Sequence, residues 1–297
     1  MPYHNSSIQP ENSMDDISEI LGLLTANVDN RNGYLQVQYP HAMPSTTPRI
    51  PRHLHYVFIS TYEKKYSFDW LKLLSLKSAM YYIKPDLVTI HVTELEPEGI
   101  YWDEVKHKVS IRRWEHLTHI DGKKLQYVEH LSDYIRVCAV HEEGGIYLDW
   151  DCIVVNDVTP LLYFDTVFCE QSCALPQICL AAFMSAPGTP FMHEFLKHYH
   201  GDFRESAWIY NSQIVPHLLA TKGRIAPKPL ILPPPAFGFY WPVASRKVPG
   251  AADNFANTYL IHQYFSMQPQ FWTEILSEGF IRGNDDPLSQ KLRPCLE

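Results

Sequence analysis

The stretch that most constrains the fold of this chain runs from residue 132 to residue 157, SDYIRVCAVHEEGGIYLDWDCIVVND. Its first part predicts a helix that ends at two glycines able to adopt a left-handed cap, because apolar residues recur before them at helical spacing: Leu131, Ile135, Cys138, Ala139, then Gly144 and Gly145. Asp133 and Arg136, three apart, share a face of that helix. The apolar segments 146–148 and 153–155 predict a strand that continues through Asp149-Trp150-Asp151, which places the two carboxylates on one side of an extended chain.

The two aspartates call for a physical explanation, since carboxylates about 6.5 Å apart repel by about 2 to 3 kcal/mol at an effective dielectric near 20. A bound cation removes that repulsion. Oxygen ligands select hard ions such as Mg²⁺ or Mn²⁺, and two carboxylates leave coordination positions open for substrate phosphate oxygens. The Asp-x-Asp tripeptide is common, however, and on its own it more often describes a solvated turn.

Five features hold their spacing together and give the stretch its specificity: Asp133, Arg136, Gly144-Gly145, Tyr147 and the Asp149/Asp151 pair. Together they resemble the DXD sugar-binding region of glycosyltransferase family 32. This family has the GT-A fold and includes initiating mannosyltransferases and α-1,4-galactosyltransferases. The resemblance implies an α/β fold of GT-A type, a single domain with a Rossmann-like, mostly parallel sheet flanked by helices.

The resemblance also implies an activity, a metal-dependent transfer of a hexose from a nucleotide-diphosphate sugar to a glycan, protein or lipid acceptor, with retention of anomeric configuration. Asp149 and Asp151 would hold Mn²⁺ or Mg²⁺ on the diphosphate, with Asp149 also near the ribose. Asp133 and Arg136 would bind hydroxyls of the donor sugar, and Tyr147 belongs to the same donor-binding motif. UDP-sugars and GDP-mannose all occur as donors among related enzymes, so the sequence leaves the donor open.

Four residues outside the stretch complete the predicted site. Related enzymes commonly place a histidine at the metal-diphosphate site, which assigns His262 as a third metal ligand, although a lone histidine in an apolar strand is more often structural. In GT-A enzymes the end of the first strand receives the nucleotide base, which points to Ser60. Asn211 and Ser212 lie in WIYNS, similar to a segment of some family 32 sequences, and could bind acceptor or sugar hydroxyls or serve the fold alone.

The rest of the sequence predicts alternating strands and helices, which favours a doubly wound sheet with ligands at the carboxyl ends of its strands. Strands are expected at 54–60, 86–93, 109–114, 167–170, 180–185 and 259–263, and helices at 68–82, 124–142, 190–199 and 208–221. The proline-rich segment 227–235 is expected to be irregular. No linker divides the chain, so we expect one domain over residues 50–297 after a flexible N-terminal extension, 1–49.

Composition excludes some partners. A net charge of −8 without a basic stripe disfavours nucleic acid. The apolar segment 14–26 is too short and acidic to span a bilayer and lacks the basic start of a signal peptide. Many family 32 members are held in the Golgi by an N-terminal helix, whereas this sequence is expected to be soluble and compatible with the cytoplasm. Cys138 and Cys152 are expected to be buried free thiols.

Two other functions compete with the transferase. A non-catalytic sugar-nucleotide or glycan-binding protein of the same fold would have no need of an intact cation site, so the preserved Asp149, Asp151, Asp133 and Arg136 count against it. A metal phosphohydrolase needs more carboxylate and histidine ligands than this region supplies. The acceptor and the oligomeric state are not predicted.

Overall fold

The protein folds around a central seven-stranded sheet. The structure is a computed structural model that describes residues 42, 44–63, 65–171, 177–238, 248, 251 and 254–297. The strands of these residues are β1 His53–Phe58, β2 Leu87–Val92, β3 Ser110–Arg113, β4 His119–Ile120, β5 Lys123–Lys124, β6 Gly145–Leu148, β7 Cys152–Val154, β8 Thr166–Cys169, β9 Ala182–Ser185, β10 Leu230–Leu232 and β11 Leu260–His262. The central sheet has the order β10-β8-β9-β6-β1-β2-β3. Only β9 runs antiparallel to its neighbours within it.

Helices cover both faces of the sheet, as α/β architecture requires. They are α1 Trp70–Ile83, α2 Ile100–Val105, α3 Val128–Glu143, α4 Pro190–Tyr199, α5 Val215–Thr221, α6 Pro269–Ile275, α7 Glu278–Gly283 and α8 Pro287–Leu292. None of the helices that the structure describes is long and apolar enough to cross a membrane. The predicted α/β fold with a Rossmann-like, mostly parallel sheet is confirmed.

Strand β6 shows how the sheet divides its side chains between two cores. Ile146 and Leu148 point into the core that contains α1 and α2, whereas Tyr147 points into the core that contains α3, α4 and α5. This alternation follows from the two-residue repeat of a strand. Tyr147 therefore lies on the same face of the sheet as Arg136, which α3 carries.

The strand after the aspartates does not continue β6, which corrects the prediction of one strand running through them. Strand β7 leaves the central sheet and pairs antiparallel with β11, with Cys152 opposite His262 and Ile153 opposite Ile261. A third hydrophobic cluster surrounds this two-stranded sheet and includes Leu74 of α1 and Trp272 of α6. Burial of both β7 faces against different elements favours the change of sheet.

Three other segments differ from the predictions for identifiable reasons. Residues 123–124 form a hairpin strand rather than the start of a helix, because Asp121-Gly122 adopts positive φ angles of 51° and 71° and makes a tight turn. Residues 230–232, apolar between prolines, pair with β8 instead of being irregular. The expected helix 208–221 begins as a π-helical turn, Tyr210–Ile214, before α5.

The segment 14–26, which is predicted to be too short to span a bilayer, lies outside the described part of the chain. Cys138 and Cys152 are buried free thiols, as expected. Close to the predicted start of the domain, the Ser45 and Arg49 backbone N–H groups donate to the carbonyls of Tyr163 and Leu162. The domain boundary near residue 50 stays a prediction.

Candidate active site

The Asp149-Trp150-Asp151 tripeptide forms a turn at the carboxyl end of β6. The Asp149 carbonyl accepts a hydrogen bond from the Cys152 N–H at 3.0 Å, so the segment is not the extended chain expected from sequence. Trp150 holds the turn against β1, since its indole N–H donates to the Val57 carbonyl at 2.8 Å and its ring stacks on Tyr56 at 4.1 Å. The turn brings the two carboxylates together by folding the chain rather than by strand alternation.

Asp149 is oriented by two neighbours from different elements. The Tyr147 hydroxyl donates to Oδ1 at 2.6 Å, and Nη1 of Arg136 donates to Oδ2 at 3.3 Å. Burial raises the pKa of Asp149, and the nearby charge of Asp151 acts in the same direction, against the opposing effect of Arg136. The orientation of the Asp149 carboxylate is thus fixed, and a further positive charge nearby would stabilise its ionised form.

Arg136 connects α3 to the turn. Its Nη2 lies 3.4 Å from Oδ1 of Asp133 and 3.2 Å from Oδ1 of Asp149, and its guanidinium lies over the Tyr147 ring at 4.5 Å. Nη1 also donates to the Leu180 carbonyl at 3.0 Å. Burial alone would lower the pKa of Arg136, but Asp149, Tyr147 and Asp133 together outweigh burial and the pKa is raised, so the guanidinium is a fixed cation.

Asp151 faces the C-terminal part of the chain. Its Oδ1 lies 3.3 Å from Nε2 of His262, and its Oδ2 accepts the Phe265 N–H at 3.2 Å. Burial would raise the pKa of Asp151, yet the charge and hydrogen bond of His262 outweigh burial and lower it. For His262, burial would lower the pKa, but Asp151 raises it well above the ordinary value. Without another cation, a proton on His262 balances Asp151.

Asp149, Asp151 and His262 each present a ligand atom, and these atoms lie within 4.8 Å of one another. Two carboxylate oxygens and an imidazole nitrogen suit a divalent ion of the first transition row, and carboxylates also suit Mg²⁺. In the cluster, three carboxylates face two cationic groups, Arg136 and His262. An anionic substrate therefore needs an additional positive charge here, and the donor set fits an ion that supplies it.

The remaining predicted residues lie in two other places. Ser60 follows β1 at the carboxyl edge of the sheet, where it is buried and its hydroxyl accepts the Tyr66 N–H at 3.3 Å. Asn211 is fully buried, and its side chain is hydrogen-bonded within the fold. Its Oδ1 accepts from His198 and from the Arg204 N–H, and its Nδ2 donates to the Arg204 carbonyl. Ser212 is also buried, in the π-helical turn.

Sequence reasoning missed four contributors to this site. Trp150 and Ser132 were visible within the motif, and Ser132 receives a hydrogen bond from Nη2 of Arg136 at 2.9 Å. The Phe265 N–H and the thiol of Cys179, which hydrogen-bonds with His262, come from distant segments without a recognisable pattern. Only the fold could reveal those two.

A second group of potential ligands, His53, His55 and Glu143, lies at the opposite edge of the sheet. Its imidazole nitrogens already have partners inside the fold. His53 contacts Thr89 at 2.8 Å and Glu143 at 3.4 Å, while His55 contacts His91 at 2.9 Å and the Gly144 carbonyl at 2.8 Å. These histidines serve the fold.

Comparison with known proteins supports the same region. Residues 83–168 match the model of the glycosyltransferase sugar-binding region containing the DXD motif. Glucan organizing enzyme 1 of Cryptococcus neoformans var. grubii is 24% identical over 266 residues, which span 83% of this chain and 71% of that protein.

Solved glycosyltransferases are more distant. The apo form of the glycosyltransferase GlyE of Streptococcus pneumoniae is 12% identical, with a TM-score of 0.43 over 82% of this chain and 60% of its own. The galactosyltransferase LgtC, solved with donor and acceptor sugar analogues, is 13% identical, with a TM-score of 0.38 over 82% of this chain and 94% of its own.

The matched region contains α3, β6 and the turn with both aspartates, so it includes the DXD part of the site, whereas His262 comes from β11 outside it. The chain is therefore a glycosyltransferase, and its residues 83–168 match the sugar-binding region containing the DXD motif.

Proposed function

We propose that this chain is a metal-dependent, retaining hexosyltransferase that takes its sugar from a nucleotide-diphosphate donor and passes it to a glycan, protein or lipid acceptor. The observation that carries the proposal is the convergence of Asp149, Asp151 and His262, whose ligand atoms lie within 4.8 Å of one another beside the fixed cation Arg136. Retention of configuration follows from the resemblance to family 32.

The ligand set fits Mn²⁺ better than Mg²⁺, because Mg²⁺ prefers oxygen ligands and His262 supplies nitrogen. When bound, such an ion stabilises the charge that develops on the leaving diphosphate as the glycosidic bond breaks. Asp151 would be the firmer ligand, because the Phe265 N–H fixes its second oxygen. Asp149 would hold both the ion and the ribose, with Tyr147 and Arg136 fixing its orientation.

The donor sugar would lie against Asp133 and Arg136, which present a carboxylate and a guanidinium from one face of α3. Ser60, at the end of β1, would contact the nucleotide base. Asn211 and Ser212 remain proposals for acceptor or sugar binding, and the hydrogen bonds of Asn211 within the fold support a role in shaping that region rather than in direct contact.

The test is donor hydrolysis by the purified chain against UDP-glucose, UDP-galactose, UDP-N-acetylglucosamine and GDP-mannose, with Mn²⁺, Mg²⁺ or a chelator. UDP-glucose heads the panel because the name of the curated relative refers to glucan. We expect hydrolysis of one donor, lost with chelator and in Asp151→Asn. The control Asp103→Asn, an exposed carboxylate on α2, should keep full activity.

Binding of Mn²⁺, followed by electron paramagnetic resonance, supplies a second measurement that does not need turnover. Unchanged Mn²⁺ affinity and unchanged hydrolysis in a folded Asp151→Asn variant would refute the assigned site. Tight donor binding with neither transfer nor hydrolysis would instead establish the non-catalytic sugar-nucleotide-binding protein.

A further inference from the structure

Two aromatic side chains, one exposed and one half-buried, form a corner of the surface where α3 begins. The ring of Trp208 meets the ring of Tyr127 edge to face, with centroids 5.0 Å apart and planes at 80°. Trp208 is 38% exposed, and the neighbouring Val128 is 44% exposed. We call Tyr127 and Trp208 the aromatic corner.

The aromatic corner lies at the edge of the sheet that carries the DXD turn. Helix α3 reverses into β6 through Gly144 and Gly145, whose φ angles of 66° and 117° make the connection tight. The start of α3 must therefore lie near the end of β6, where Asp149 follows. Tyr127 precedes Arg136 by nine residues, about 13 Å along a helix axis.

A firm base supports the corner and connects it with the site. His130, 1% exposed, packs edge to face on Tyr127 at 5.2 Å and on Phe203 at 5.3 Å. One turn further along α3, Asp133 pairs with Arg136, which pairs with Asp149. The aromatic corner is thus held in place by packing. It lies at the start of α3, and Asp133 and Arg136 lie along the same helix between it and the DXD turn.

We propose that the aromatic corner binds a sugar ring of an oligosaccharide acceptor, beyond the unit that receives the hexose. The inference rests on the proposed function and assigns a substrate class to it. Tyrosine and tryptophan suit such a ligand, because their rings cover the apolar C–H face of a pyranose while the tyrosine hydroxyl and the indole N–H stay in contact with water. The span of about 13 Å from Arg136 calls for an acceptor of more than one sugar.

The charges beside the corner are of both signs, because the Nζ of Lys123 donates to the Phe203 carbonyl and Arg204 lies over the Tyr210 ring, and this mixture favours a neutral glycan over an anionic lipid head group. Glu129 lies exposed beside Val128 at the start of α3, and Glu205 is close enough to act on the pKa of His130. Anionic lipid surfaces attract basic segments, so carboxylates here oppose them. An uncharged carbohydrate chain meets no such opposition.

Calorimetric titration of the full chain with manno-, malto- and laminari-oligosaccharides, from monosaccharide to hexasaccharide, tests the proposal. We expect one series to bind with an affinity that rises with chain length. Trp208→Ala should weaken hexasaccharide binding about five- to tenfold and remove most of the length dependence. Trp208→Phe, which keeps a ring face, should retain most of the affinity.

Tyr81 offers a matched control at the opposite edge of the sheet. It is 46% exposed and meets Tyr82 edge to face at 5.0 Å and 83°, so Tyr81→Ala removes a comparable aromatic pair and should leave oligosaccharide affinity unchanged. Absence of binding in all three series, or equal binding by Trp208→Ala and the original chain, would overturn the proposal. The titration needs no catalysis, so the two proposals can fail separately. Donor hydrolysis without a length-dependent oligosaccharide affinity would refute only this inference. Absence of both donor binding and donor hydrolysis would refute the proposed function.

Discussion

Two aspartates separated by one residue have opposite electrostatic environments in this site. Asp149 is half-buried beside Tyr147, and its pKa is raised, whereas His262 and the Phe265 N–H lower the pKa of Asp151, which is also half-buried. The difference arises from which element each faces, since Asp149 points to the central sheet and Asp151 to the C-terminal segment. Identical side chains in one motif are thereby suited to different tasks.

Tyr147→Phe tests how far the orientation of Asp149 matters. The change removes the hydroxyl that donates to Oδ1 at 2.6 Å while keeping the ring under Arg136, so we expect Mn²⁺ affinity or kcat/KM to fall about 10-fold or more. Tyr199→Phe is the control, because Tyr199 is equally buried and its hydroxyl has no hydrogen-bond partner among the described residues. Equal Mn²⁺ affinities in the two variants would show that Tyr147 only fills space.

Gly145→Ala tests the connection between α3 and β6. A Cβ at this position would lie 2.2 Å from the His53 carbonyl oxygen, and the φ of +117° disfavours any other residue. We expect a loss of about 3 kcal/mol or more in the free energy of unfolding, measured with urea. Gly279→Ala, on α7 with nothing within 4 Å of the added Cβ, should be neutral or slightly stabilising, and a similar loss there would remove the steric explanation.

At the scale of elements, the sequence predicted the α3–β6 unit well, because local rules determine it. Helical spacing, the glycine pair and the short apolar strand all depend on neighbouring residues. The reversal at Asp149-Trp150-Asp151 escaped prediction, since it depends on β11 pairing with β7 and on Trp150 packing under β1. His262 was assigned by resemblance alone, and the Cys179 and Phe265 contacts had no local pattern.

A chain of hydrogen bonds joins β3, β2 and β1 to the start of β6. The indole N–H of Trp114 can only donate, so His91 accepts at Nδ1 and donates from Nε2 to Nδ1 of His55. The Nε2 of His55 then donates to the Gly144 carbonyl. The sequence of donors and acceptors is satisfied when both histidines are neutral. Burial lowers the pKa of His55 to about 3 and that of His91 to about 2, with Arg112 adding to the effect at both.

This hydrogen-bonded chain predicts loss of stability in mild acid. Between about pH 6.5 and the lowered pKa values, His55 and His91 are protonated in the unfolded chain but neutral in the folded chain. The free energy of unfolding therefore falls as the pH falls. Each such histidine contributes a slope of about 1.4 kcal/mol per pH unit. His91→Gln, whose amide can accept from Trp114 and donate to His55, should reduce the slope near pH 5 by about one proton and leave it almost unchanged near pH 7.5, as urea titrations across this range would measure. His119→Gln, on the exposed strand β4, is the control, and equal slopes in both variants would contradict the assignment.

At the scale of the whole molecule, the candidate site joins the central sheet to the C-terminal helices. Asp149 follows β6, whereas His262 ends β11, which packs in the cluster with α6, α7 and α8. A ligand shared by both parts should therefore stabilise them together.

Thermal unfolding with and without Mn²⁺ measures that stabilisation. At Mn²⁺ concentrations about 100 times the Kd, mass action adds about 2.7 kcal/mol, which corresponds to a rise in Tm of about 5 °C or more for a chain of this size. His262→Ala should remove the rise. A persistent rise in that variant would place the responsible ion elsewhere on the chain.

The pairing of β11 with β7 also determines when this site can come into being as the chain is made. Phe265, whose N–H fixes Asp151, lies 114 residues after it, so a ribosome releases both aspartates long before their C-terminal partners. At the usual pace of synthesis, about 5 to 20 residues per second, the delay is at least several seconds. During that interval the emerging polypeptide carries two neighbouring carboxylates without His262 to balance them, so the candidate site is completed only after the C-terminal segment has been made.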